Sequence, residues 1–142
     1  RAGDAGVRVA LEFDARAAFP NNLQSAVALV EQVRHPALGL CLDWHHFSVG
    51  PSKEADLALL SADTLFHVQL SDLADVPREM AGDTERILPG EGSSDPAPLL
   101  EALAGIRPLA TTIPLVSTVT GGPIDGRSLD ADGDDIRRNG WG

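Results

Sequence analysis

An α/β fold built on a parallel sheet is predicted by three features of this sequence. Short aliphatic and β-branched runs alternate with segments whose apolar residues recur at helical spacing. Three of those runs end on polar side chains, at Glu12, Asp43 and Gln69. The ends lie 31 and 26 residues apart, a period that suits consecutive βαβ units with parallel strands. Parallel strands bring their C-terminal ends to one rim, which is where such sheets present a site.

The first strand is read over residues 7–13 and closes on Glu12. Pro20-Asn21-Asn22 then delivers a helix in which Leu23, Ala26, Val27, Val30 and Val33 share one face. His35-Pro36 ends it, because the residue before proline is pushed out of the helical region. Residues 39–44 form the second strand, again closing on a carboxylate, followed by His45-His46 and a turn at Gly50-Pro51. Ser52 is the expected cap of a short helix with Glu54 in its first turn and Ala55, Ala58 and Leu59 on its apolar face. The third strand covers 64–70, and a long polar loop leads to a helix opened by Asp95-Pro96. Leu99, Leu100, Leu103 and Ile106 are its expected core face, and Gly105 its stop.

Beyond Ile106 the character changes. Residues 109–119 form a further strand, confined to a sheet edge by Pro114. From residue 121 onward the chain is rich in Gly and Asp, with little apolar surface to bury, and reads as a disordered acidic tail. Its Asp130–Asp135 stretch lacks the glycine spacing and the closing acid of a calcium loop. The expected division is therefore a structured part, 1–120, and a tail, 121–142.

Composition narrows the function. A net charge of −10 excludes a basic nucleic-acid face and disfavours an anionic membrane surface. No apolar stretch is long enough for a bilayer, and no signal-peptide pattern is present, which points to the cytoplasm. The single cysteine, Cys41, sits between Leu40 and Leu42 and is expected to be a buried structural thiol. The chain begins at Arg1 rather than Met, as it would if entered partway through a longer protein.

At the rim, a Glu, an Asp and an amide oxygen are hard donors suited to Mg²⁺, Mn²⁺ or another octahedral ion such as Co²⁺. An ion there polarises a carbonyl or vicinal diol and eases removal of an adjacent C–H proton. Glu12 can double as the base through its free oxygen. His46, three residues after Asp43, is the histidine of the pair expected at the rim. His67 shares a strand face with Gln69, and reads either as a substrate contact or, by preference, as an interior histidine. Arg86 stands in the long loop as an anchor for substrate oxygens, or in a surface salt bridge.

Four stretches carry a resemblance. They are Leu11-Glu12-Phe13, Leu42-Asp43-Trp44-His45-His46, His67 through Asp72, and Arg86-Ile87-Leu88-Pro89-Gly90-Glu91-Gly92. In this order and at these distances they resemble the sugar phosphate isomerase/epimerase family with the xylose-isomerase-like TIM barrel. The resemblance covers residues 7–106. It implies a partial (β/α)8 barrel made of its strands five to seven, with the 109–119 segment in the region of the eighth. It implies Glu12 and Asp43 as metal ligands, Gln69 at the third ligand position, His46 on the substrate, and Arg86 on the substrate's oxygens. Glu12 and His46 are then the candidate catalytic groups, with His46, Arg86 and His67 binding a small polyhydroxylated carbonyl compound.

Two departures qualify the assignment. Gln69 stands where sugar epimerases of the group carry a histidine, an arrangement more like the 3-dehydroshikimate dehydratases. No glutamate follows Glu101, although the family's fourth ligand is a Glu ending the eighth strand. A frameshift or premature junction after Ile106 would produce this. The leading expectation is part of a metal-dependent sugar isomerase or epimerase, with a dehydrating lyase and an inactive metal- or partner-binding remnant as alternatives. A partial barrel also implies an open sheet edge, and with it weak stability or self-association.

Overall fold

The structure is a computed structural model that describes residues 2–106, together with the backbone of 115–116 and 123–124. The chain divides into two units, 1–106 and 107–142. The first is organised on three strands, β1 (Val9–Glu12), β2 (Leu38–Asp43) and β3 (Leu65–Gln69), in the order β1-β2-β3. Both pairings are parallel.

Helix α1 (Leu23–Val33) connects β1 to β2. Asn22 caps it, its side-chain oxygen accepting from the Ser25 N–H at 2.8 Å. Leu23, Ala26, Val27 and Val30 are buried as the spacing requires, whereas Val33 is exposed because the helix is already leaving the core. The helix stops before His35-Pro36, with Arg34 in the left-handed region at φ 49°. The buried face meets Leu40 and Leu42 of β2 together with Phe13, Trp44, Phe47, Leu57 and Leu99 in one hydrophobic cluster. Cys41 is buried in β2, and its thiol is pushed up to about 11, first by burial and then by Glu12 and Asp43.

The β2–β3 register carries an irregularity at Leu40/Cys41. Leu40 pairs with Leu65 but Cys41 pairs with His67, so Phe66 is an extra residue. Gly39 makes room for it. A Cβ on Gly39 would lie 2.6 Å from the Phe66 ring and 2.5 Å from the Thr64 carbonyl oxygen. The Arg8 guanidinium lies 4.2 Å from the ring centroid, a cation–π contact at the N-terminal end of the sheet.

Several expectations are corrected here. Trp44 does not extend the second strand: helix α2 (Trp44–Val49) begins immediately after Asp43 and includes both histidines. Residues Glu54–Leu59 form a 3-10 helix, and its buried residues are Asp56 and Leu57, while Ala55, Ala58 and Leu59 are exposed. A 3-10 helix turns every three residues, so it presents its side chains differently from the α-helix expected here. Ser52 does not cap this helix. Its hydroxyl accepts from the Leu23 N–H of α1, and the Lys53 N–H is taken instead by Asp56, which also accepts from Gln24 at 2.7 Å.

The polar loop after β3 holds an antiparallel pair, β4 (Asp72–Leu73) with β5 (Arg86–Ile87). Helix α3 (Ala97–Ala104) follows Asp95-Pro96 and is closed by Gly105. Leu99 is fully buried and Leu103 packs against the core, but Leu100 is 48% exposed and turns away from it. The expected strand at 109–119 and the expected tail fall mostly outside the described residues. Within them, β6 (Leu115–Val116) pairs antiparallel with β7 (Pro123–Ile124), so residues 123–124 of the expected disordered tail form a strand. Among the described residues no helix is long and apolar enough to cross a membrane.

The Gly39–Phe66 contact yields a direct test. Gly39→Ala is expected to cost about 1–3 kcal/mol in urea unfolding, the usual penalty of overpacking. A variant as stable as the parent would show that the sheet tolerates a side chain there.

Candidate metal centre

Asp43 ends β2 and is 1% exposed. Its Oδ1 accepts from the His45 N–H at 2.9 Å, which makes it the N-cap of α2. Starting a helix directly on a strand end has a geometric result. His46, three residues on, returns over Asp43 after nearly one helical turn. Glu12, Asp43 and His46 each offer a ligand atom, and those atoms lie within 4.8 Å of one another. His46 Nδ1 is buried without a hydrogen-bond partner among the described residues, its nearest carboxylate oxygen being Asp14 Oδ1 at 3.7 Å.

Two carboxylates and an imidazole whose Nδ1 has no hydrogen-bond partner among the described residues fit a divalent cation such as Zn²⁺, Co²⁺ or Mn²⁺. Gln69 pairs with Asp43 in the β2–β3 register, which puts it level with the cluster at the same strand ends, and it is exposed. His67 pairs with Cys41 one pleat lower and is exposed as well. The preference for an interior His67 is therefore not met, because its side chain at the edge strand β3 is exposed.

Arg86 lies on β5, where its guanidinium grips Asp43 with both ends. Nη1 donates to Oδ1 at 3.0 Å and Nη2 approaches Oδ2 at 2.7 Å. Nε also donates to Asp83 Oδ1 at 3.0 Å. The hydrogen bond to Asp43 raises the affinity of Arg86 for its proton, and Arg86 in turn holds the exposed Asp83 carboxyl below its usual range. His45 is buried, and burial, then the Arg86 charge, lowers its pKa against the opposing pull of Asp43.

What places Arg86 is a second buried carboxylate, Asp72, at 3% exposure. Oδ2 accepts from the Gly90 and Gly92 N–H groups at 3.0 and 2.9 Å. Oδ1 accepts from Ser94 N and Oγ at 2.9 and 2.8 Å and from Leu73 N at 2.8 Å. These bonds fold the 90–94 loop back onto β4. Gly90 turns at φ 88°, and a Cβ on Gly92 would meet Asp72 Oδ1 at 2.6 Å, which explains the Gly-x-Gly spacing. Burial alone would push this carboxyl up, but the donors from Leu73, Ser94 and Gly92 outweigh it and hold it at about 2. Sequence reading missed this anchor, although an Asp at a strand end followed by Gly-x-Gly and Ser94 is the pattern of a carboxylate in a ring of N–H donors.

The sheet, the cluster and this loop agree with a sequence match. The model of the xylose isomerase-like TIM barrel family matches residues 1–108. The chain belongs to that family. Among curated relatives, the inosose isomerase of Halalkalibacterium halodurans is 34% identical over 89 residues, which are 62% of this chain and 32% of the relative. The inosose isomerase of Bacillus subtilis is 31% identical over 102 residues, 71% of this chain and 37% of the relative. The chain thus spans about a third of the length of these relatives. Among solved structures, a crystal structure of the IolI protein with a bound zinc atom superposes with a TM-score of 0.67 at 31% identity, covering 72% of this chain and 37% of that one. A xylose isomerase domain protein of Alicyclobacillus acidocaldarius gives 0.63 at 27% identity, covering 97% and 52%.

The Asp72 anchor makes a pH prediction. Its folded pKa lies below the ordinary value of 3.8, so its stabilisation is full above that value and is lost as pH falls toward about 2. Asp72→Asn keeps one accepting oxygen, leaves N–H groups unpaired, and is expected to cost at least about 2 kcal/mol at neutral pH. Its stability should then change less than the parent's between about pH 4 and pH 2. Parallel acid-unfolding curves for the two proteins would disprove the anchor.

Proposed function

We propose that this chain carries the metal centre of a divalent-metal-dependent isomerase or epimerase acting on a small polyhydroxylated carbonyl compound. The convergence of Glu12, Asp43 and His46 within 4.8 Å at neighbouring strand ends carries the reading. Glu12 and Asp43 are the anionic ligands, and His46 supplies a nitrogen donor or contacts the substrate. Gln69 would add its amide oxygen. Bound there, a divalent ion would polarise the substrate carbonyl and acidify the C–H beside it. Glu12, at the exposed edge of the cluster, exchanges that proton through its free carboxylate oxygen. Arg86, with His67 on the open face, holds substrate oxygens.

The names of the curated relatives make an inosose, a polyhydroxylated cyclic ketone, the first substrate class to test. In this reading β1, β2 and β3 correspond to strands five to seven of a (β/α)8 barrel, so the site borrows chemistry from the C-terminal rim where such barrels work. Gln69, in the position of a ligating histidine, favours a second reading. A lyase at the same centre would remove water from a cyclic keto-acid, with Arg86 facing the carboxylate. The open edges of β1 and β3 further suggest self-association of the chain.

Three outcomes are expected. Mn²⁺ or Zn²⁺ at about a hundred times its dissociation constant should stabilise the protein by about 2.7 kcal/mol, and Glu12→Gln or Asp43→Asn should remove that gain. In the presence of metal, deuterium from solvent should enter the carbon next to the carbonyl of an inosose, and Glu12→Gln should lower the rate at least about a hundredfold. Loss of water from the substrate would select the lyase. Metal binding without exchange or dehydration would remove both enzyme readings and leave a metal- or partner-binding module. Sedimentation should show a dimer or larger species, and a monomer at all concentrations would end the self-association proposal.

A further inference from the structure

We propose that Arg86 is a built-in competitor for the cation at Asp43, so that the strength of metal binding is set by this arginine as well as by the ligands. The inference rests on the proposed metal centre and concerns a second property of Arg86, its hold on Asp43. The guanidinium spans both oxygens of Asp43, with Nη1 3.0 Å from Oδ1 and Nη2 2.7 Å from Oδ2. The His45 N–H adds a second donor to Oδ1 at 2.9 Å. A carboxylate oxygen has two lone pairs to offer. Oδ1 has used both, and Oδ2 keeps one. Asp43 is fully buried, where water screens poorly, so a positive charge already bound there opposes the arrival of another.

The other edge of Arg86 shows where it can go. Nε and Nη2 each lie 3.0 Å from Asp83 Oδ1, and Asp83 is 77% exposed. Besides its bond to Asp43, Nη1 makes a long contact to Ser71 Oγ, at 3.4 Å. Arg86 therefore stands between a buried carboxylate and a solvated one. It can loosen its hold on Asp43 while keeping a charged partner. In the metal-free protein the pairing compensates an otherwise isolated buried carboxylate. With metal present, part of the binding energy goes into displacing or polarising that pair, which keeps the ion exchangeable.

The test is Mn²⁺ titration calorimetry on the whole chain, comparing the parent with Arg86→Gln. Arg78→Gln serves as a control for loss of a surface charge, since Arg78 is exposed and paired with Glu79. Arg86→Gln is expected to bind Mn²⁺ about tenfold tighter or more, given the strength of a charge contact in a poorly screened site, with the control unchanged. A second readout uses the parent alone and so survives a variant that fails to fold. Mn²⁺ should increase phenylglyoxal modification of Arg86, mapped by mass spectrometry, relative to Arg78. Equal or weaker binding by folded Arg86→Gln, or no rise in modification on metal binding, overturns the competitor role and leaves the metal centre standing. Absence of Mn²⁺ binding in every form overturns the metal centre itself, and this role with it.

Discussion

The carboxylate of Asp43 is the constraint on which the functional end of this fold depends. It is a charge removed from water at the end of the central strand, and such a charge is tolerated only when it is paired and hydrogen-bonded. The fold meets that demand with two partners of different origin. The His45 N–H is local and comes from starting a helix at the next residue. The Arg86 guanidinium is distant in sequence and comes from the β4–β5 pair. The first partner also brings His46 back over the strand end, and the second leaves the same carboxylate facing Glu12. Capping, charge compensation and the assembly of the ligand cluster are thus three consequences of one buried group.

Asp72 solves the same problem in the opposite way. Among the described residues no cation pairs with it, and it is stabilised by backbone N–H groups and one serine hydroxyl drawn from a single loop. Gly92 serves this arrangement by letting the backbone approach closely, and Gly90 by turning at positive φ. Because Asp72 pairs with Ile87 and Leu73 with Arg86, closing the loop also fixes the strand that bears the arginine. The two buried aspartates are therefore linked: one organises the loop, and the loop delivers the counter-charge of the other.

The two faces of the sheet differ in exposure. Glu12, His67 and Gln69 are exposed, while the opposite face is packed by α1 and α3 through Leu40, Leu42 and Leu99. An exposed Glu12 stands beside a buried Asp43. One carboxylate is held by the His45 N–H and the Arg86 guanidinium. The other is open to solvent.

Amino-acid order alone determined the three parallel strands, the helices at 23–33 and 97–104, and the polar strand ends that bring Glu12 and Asp43 to one rim, because hydrophobic period and strand-end polarity are local properties. His46 was marked by its spacing from Asp43, and Arg86 by the family resemblance of the Arg86–Gly92 stretch. Tertiary structure decided the rest. The 3-10 geometry of Glu54–Leu59 exchanged the expected buried face for Asp56 and Leu57, since the turn period depends on packing against α1 through Gln24. The irregularity at Phe66 is set by contact with Gly39 on another strand. The grip of Arg86 on Asp43 joins residues 43 positions apart, and the Asp72 anchor joins residues up to 22 apart. Burial of a charge is a property of the assembled core, so its compensation is written in contacts that no local pattern contains.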